Sequence, residues 1–131
     1  MGYESKFYIV QKYSKHKEDK KRYAQVIAMF DMCKMWPLNV FKTETDCYFY
    51  ADDGNTQVLE DCYGDPLKEA SIKEVIDMLE EAVENGEDYR RIFPLLAALK
   101  VIEEQLKRNI WEDVVVLHYG HWKEKEIWKD N

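Results

Sequence analysis

Cysteine, glycine and proline are all scarce in this sequence, at three, five and three of 131 residues. The three cysteines, Cys33, Cys47 and Cys62, are an odd number with no CxxC spacing. That argues against a disulfide framework and a zinc ribbon, and the thiols are expected to be reduced. None of the five glycines stands in a GxGxxG or GxxxxGK pattern, so nucleotide-dependent chemistry is not expected. No apolar run approaches the roughly 18 residues of a membrane span, and Met1–Lys6 has no basic stretch leading into an apolar leader core. The expectation is a cytoplasmic protein. No Gly-x-Ser-x-Gly nucleophile elbow, internal repeat or low-complexity tract is present.

The chain is well supplied with core-forming residues: 46% are apolar and 14% aromatic, unlike chains too polar to fold. A chain of this length can bury roughly two thirds of its unfolded surface, so one α+β domain over 1–131 is expected. The net charge of −7 is unevenly spread: residues 1–25 hold seven Lys/Arg against three Asp/Glu, and residues 43–88 hold two against fifteen. So acidic a region repels nucleic acid and attracts basic partners or divalent cations; a solvated face without a partner is the simpler alternative.

The β-branched and aromatic run 5–13 predicts a strand, and the loose alternation over 23–32 a second strand antiparallel to it. Between them, 14–22 has no apolar residue and reads as a solvated basic loop. The run 46–51, the turn residues Asp52-Asp53-Gly54-Asn55-Thr56 and the run 57–60 predict a hairpin. Ser71-Ile72-Lys73-Glu74 matches a capping box, and Ile72, Val75, Ile76, Leu79 and Val83 continue it as an amphipathic helix that stops at Asn85-Gly86. A second helix is placed from about Pro94 to Arg108. The β-branched run 113–119 then predicts a central strand. These elements make a mainly antiparallel sheet of about five strands with two helices packed on one face.

Three groups of residues are candidates for chemistry or binding. The carboxylates Asp52, Asp53, Glu60 and Asp61 could gather at a hairpin as ligands for a hard cation, although the loop lacks calcium-loop spacing and turn chemistry alone explains it. With His118 as a proton shuttle they would make a divalent-metal-dependent hydrolase or nuclease. His118 and His121 stand three apart at a strand end, too few for a zinc site alone. Glu80, Glu81 and Glu84 on the first helix offer an acidic surface to a basic partner. The basic stretch Lys12–Arg22, flanked by Tyr8, Tyr13 and Tyr23, could bind nucleic acid, a poor fit to the overall acidity. Four tryptophans leave room for both core and exposed anchors, so a structural or homo-oligomeric protein, such as a homodimer, is a further reading. No cofactor is expected.

The segments 1–6, 50–56, 63–67 and 116–120 together resemble a group of small uncharacterised proteins of bacteriophages and prophages of Gram-positive bacteria. That resemblance implies no catalytic residue. It implies a non-enzymatic accessory protein that binds a host or phage macromolecule, such as an inhibitor of a host defence protein acting as a nucleic-acid mimic.

Overall fold

A computed structural model describes residues 5–15, 18–32, 40–86 and 89–120, with the side chain of Tyr89 left out. The strands are β1 (Ser5–Lys12), β2 (Arg22–Asp31), β3 (Thr43–Glu44), β4 (Cys47–Tyr50), β5 (Gln57–Val58), β6 (Lys68–Ser71) and β7 (Val114–Gly120). The helices α1 (Ile72–Glu84) and α2 (Tyr89–Lys107) lie between β6 and β7.

Alternation along β1 sets the two sides of the sheet. Phe7 and Ile9 point one way and join the apolar stripes of α1 and α2; Val10 points the other way, with Tyr8 beside it, into a smaller cluster with Ala24, Cys47, Phe49, Leu67 and Leu117. Such period-two partition follows from the pleat. The strand order is β3-β6-β7-β1-β2-β4-β5. Four strands therefore separate β3 from β4, yet Thr45 and Asp46 alone connect them. A link that short spans at most about 10 Å, so the sheet curls until its ends meet, enclosing the smaller cluster. A register shift opposite Ile9/Val10, where Val10 pairs Val26 and Ile9 pairs Ala28, leaves Ile27 as an extra residue that sharpens the local bend.

The expected α+β class, the antiparallel β1–β2 pair and the β4–β5 hairpin are present. The sheet has seven strands rather than about five, and it is mixed, because β2 and β4 run parallel through Arg22↔Cys47 and Tyr23↔Tyr48. The added strands, β3 and β6, are two and four residues long, too short to show a period. The 113–119 run is interior as expected, β7 lying between β6 and β1.

The capping box at α1 is complete: the Glu74 amide donates to Ser71 Oγ at 3.1 Å and the Ser71 amide donates to Glu74 Oε1 at 3.0 Å. Gly86 ends the helix at φ 83°, a conformation that costs glycine little. The second helix begins at Tyr89, five residues before Pro94. Proline there removes one intrahelical amide bond, which the burial of Ile92, Leu95, Leu96, Leu99 and Ile102 outweighs. No helix among the described residues is long and apolar enough to cross a membrane.

A tyrosine cluster beside a charged hollow

The curl brings four tyrosines to one place, one just after β1, one in β2 and two in β4. Tyr13 follows β1, and its amide donates to the Tyr23 carbonyl at 2.9 Å. Tyr23 pairs in register with Tyr48, and Tyr50 lies two residues further along β4 on the same side. The Tyr13 and Tyr23 rings stack at 5.8 Å and 13°. Tyr23, Tyr48 and Tyr50 form a triangle with centroids 5.5 to 6.0 Å apart, within the range in which aromatic pairs attract. Tyr48 is buried, whereas Tyr13, Tyr23 and Tyr50 are 39%, 37% and 40% exposed. Hydrogen bonding with Tyr50, then burial, pushes the Tyr48 hydroxyl up to about 12, and the charge of Asp19 adds to the shift.

Against Tyr48 opens a half-enclosed hollow of about 250 Å³, lined also by Glu18, Asp19, Lys20, Lys21, Gln57 and Leu59. Lys21 is engaged at the rim by Glu44 Oε2 at 3.4 Å and the Thr45 carbonyl at 3.1 Å. Arg22 is held between Asp46 Oδ2 and Asp113 Oδ2, at 2.9 and 2.7 Å. Two basic residues of the loop are thus matched by carboxylates. Glu18 and Asp19 share the lining with Lys20, and Asp52 and Asp53 follow Tyr50 at the tip of the hairpin.

Behind the tyrosines, Lys12 fastens the curled sheet. Its side chain, 5% exposed, donates to Asp46 Oδ1 and Glu69 Oε1, each at 2.7 Å. Thr45 Oγ1 donates to the same Glu69 oxygen at 2.8 Å and lies 3.1 Å from Cys47 Sγ. Burial would by itself lower the Lys12 pKa, but the hydrogen bonds and charges of Asp46 and Glu69 outweigh it and the net shift is upward. Burial pushes the Cys47 thiol up as well. A lysine held as ammonium and a thiol held protonated are both poor nucleophiles, so the network reads as structural.

Of the other residues singled out from sequence, only Asp52 and Asp53 lie next to this place in the chain, following Tyr50 in the hairpin turn. Asp53 accepts from the Asn55 and Thr56 amides and the Thr56 hydroxyl, and Asp61 accepts from the Tyr63 and Asp65 amides. They serve turns, and Asp52, Asp53, Glu60 and Asp61 do not form a group of three that could hold a metal ion. His118 is buried within β7, its Nε2 3.0 Å from Ser5 Oγ, with Phe7 and Phe41 against its ring. Ser5 is 0% and His118 2% exposed, so substrate has no access to this Ser–His pair as it stands. His121, Trp36, Trp122 and Trp128 lie outside the described residues; Trp111 is half-buried and donates to Gln105 Oε1 at 2.6 Å. On α1, Glu80 is paired with Lys100 of α2 at 2.8 Å, while Glu81 and Glu84 are exposed.

The hairpin pattern over 46–60 does not reveal the tyrosine cluster, because it places Tyr48 and Tyr50 on a strand without the parallel neighbour that carries Tyr23. The available signal was their i, i+2 spacing, which puts both rings on one side of a strand. Comparison with protein-family models, with curated proteins and with solved structures gave no match for the chain.

Proposed function

We propose that the protein is a non-enzymatic binding protein that docks a partner protein bearing a basic surface, with the tyrosine cluster as its anchor. The observation that carries this reading is the continuous exposed surface of Tyr13, Tyr23 and Tyr50 around Tyr48, beside the hollow. Tyrosine supplies large contact area at small conformational cost and is enriched among residues that dominate binding energy. The partner's charge follows from the net charge of −7 and from the acidic 43–88 region, in which Asp52 and Asp53 follow Tyr48 and Tyr50. Lysine or arginine side chains would gain both from these carboxylates and from the tyrosine faces. In a phage-type setting the partner is a host or phage protein, and an acidic docking protein of this kind would inhibit it by occupying a nucleic-acid-binding surface.

The test is a capture experiment from Gram-positive bacterial lysate at low and high salt, run with the wild type, with Tyr13→Ser/Tyr50→Ser, and with Glu81→Lys/Glu84→Lys. The reading expects a basic protein that the wild type retains at low salt, that high salt releases and that the tyrosine variant fails to hold. A set of captured proteins unaffected by the tyrosine variant would overturn it. Loss through the glutamate variant alone would move the binding surface to α1.

A further inference from the structure

The hollow against Tyr48 holds charge that the fold leaves unused. Lys21 is engaged by Glu44 and the Thr45 carbonyl, whereas Glu18, Asp19 and Lys20 line the same space with no hydrogen bond or ion pair among the described residues. Two carboxylates therefore stand against one ammonium, and the balance of the lining favours a cation. Asp19 is close enough to Tyr48 for its charge to act on that hydroxyl. The remaining lining suits a long side chain, with Leu59 as an apolar wall and the Gln57 amide as a further acceptor. A volume of about 250 Å³ is ample for one such side chain.

We infer that the hollow is a subsite for one arginine side chain of the partner, its guanidinium on Glu18 and Asp19 and its stem along Leu59. The inference deepens the docking reading above and rests on it for the partner. Arginine rather than lysine follows from the chemistry of the lining. Two carboxylates and an amide oxygen present several acceptors, which a planar guanidinium with five donors can use together and a compact ammonium cannot. A guanidinium is also more weakly hydrated and stacks on aromatic rings, and Tyr23 and Tyr50 have their centroids 6.0 and 5.5 Å from that of Tyr48. Lys20 sets a limit, because its ammonium repels the incoming charge. The subsite therefore takes a single cation and holds it weakly, with a dissociation constant roughly millimolar for an isolated side chain.

The test is an NMR titration of the full chain with a capped Gly-Gly-Arg-Gly-Gly peptide and its lysine and glutamate counterparts. The arginine peptide is expected to give saturable shifts of the Lys20, Gln57 and Leu59 amides and to bind about threefold or more tightly than the lysine peptide. Glu18→Gln and Asp19→Asn should each weaken it by about two- to fivefold, the range of an exposed pair, and Lys20→Gln should strengthen it. Unchanged shifts away from the hollow verify that each variant keeps the fold. An absence of saturable shifts at the hollow, equal affinity for the lysine peptide, preference for the glutamate peptide, or charge variants without effect would overturn the subsite. The titration involves no partner, so the two proposals fail separately. Tyrosine-dependent capture without arginine binding sinks the subsite alone; arginine binding with capture insensitive to the tyrosines supports the subsite and sinks the docking reading.

Discussion

Replacing Lys12 with methionine removes the one charge that Asp46 and Glu69 both use while keeping most of the side-chain volume. Lys12 donates to each at 2.7 Å, and its side chain is 5% exposed against 21% for Glu69 and 58% for Asp46. Breaking a fully buried pair costs about 3–5 kcal/mol because the remaining partner is left without compensation. The Glu69 half comes nearest to that description and is set at the low end of the range, because Glu69 is still 21% exposed; Asp46 is largely solvated, keeps Arg22, and contributes no more than a surface pair. The expected loss is therefore about 3 kcal/mol, a fall in Tm of roughly 12 °C at about 4 °C per kcal/mol for a chain of this size. Adding Glu69→Gln to Lys12→Met should cost less than the two single changes together, because the carboxylate stranded by the first is gone.

The assay is urea unfolding as a function of pH. The Asp46 carboxyl is affected first by burial, which would raise its pKa, but Lys12 and Arg22 outweigh this and hold it below the ordinary value. A depressed folded pKa means stabilisation that is fully present above the unfolded value near ~3.9 and is lost as pH falls through the folded one. Lys12 shifts upward, so its share is fully present below ~10.4 and is lost as pH rises through its folded pKa. Wild-type stability should carry both limbs with a plateau between them; Lys12→Met should remove the alkaline limb and only reduce the acid one, to which Arg22 still contributes. A loss under about 1 kcal/mol, or an unchanged alkaline limb, would show that the network does not fasten the sheet.

Three further outcomes follow from local geometry. Ser71→Ala removes the acceptor for the Glu74 amide and should lower unfolding free energy by about 1 kcal/mol, read from the urea midpoint at constant m. Asp53, with Thr56 and Asn55 holding its carboxyl down to about 2, should titrate near that value by NMR. Thr56→Val, which deletes the hydroxyl donor, should move the midpoint up toward the ordinary range. Toward a disulfide reagent under native conditions, Cys62 should react and Cys47 should not, because Cys47 is buried with its thiol pKa raised and Cys62 is exposed; equal rates would contradict the enclosed position of Cys47.

What local chemistry encodes was legible before the structure: the capping box at Ser71, the stop at Gly86, the turn at Asp53–Thr56 and the β-branched run of β7 each depend on residues a few positions apart. What the curl encodes was not. The parallel pairing of Arg22 with Cys47 joins residues 25 apart in sequence and leaves no periodic trace. The Lys12 network joins residues 34 and 57 apart. One sign of it was present in β1, where Tyr8, Val10 and Lys12 share a face and a lysine continues an inward-pointing row. Pro94 suits a first turn and so points to a start five residues late, whereas buried Ile92 already belongs to the stripe.

The acidic region shows most clearly where counting charge stops being informative. Its carboxylates divide among different tasks: Asp46 and Glu69 on Lys12, Asp53, Asp61 and Glu74 on backbone amides, Asp77 and Glu80 on lysines of the helices. A carboxylate bonded to an amide keeps its negative charge and still contributes to the field a basic partner meets. It is nevertheless a poor site for a charge reversal, since the substitution also removes a turn, a cap or a pair. Of the three glutamates marked on α1, Glu80 is such a case, and Lys in its place would face Lys100 directly. Glu81 and Glu84, exposed and without an ion pair among the described residues, change the field with little change to the fold. Reversing those two tests long-range attraction alone, and changing Tyr13 and Tyr50 tests contact. A partner that depends on both would show a salt-sensitive on-rate lowered by the first pair of changes and an off-rate raised by the second.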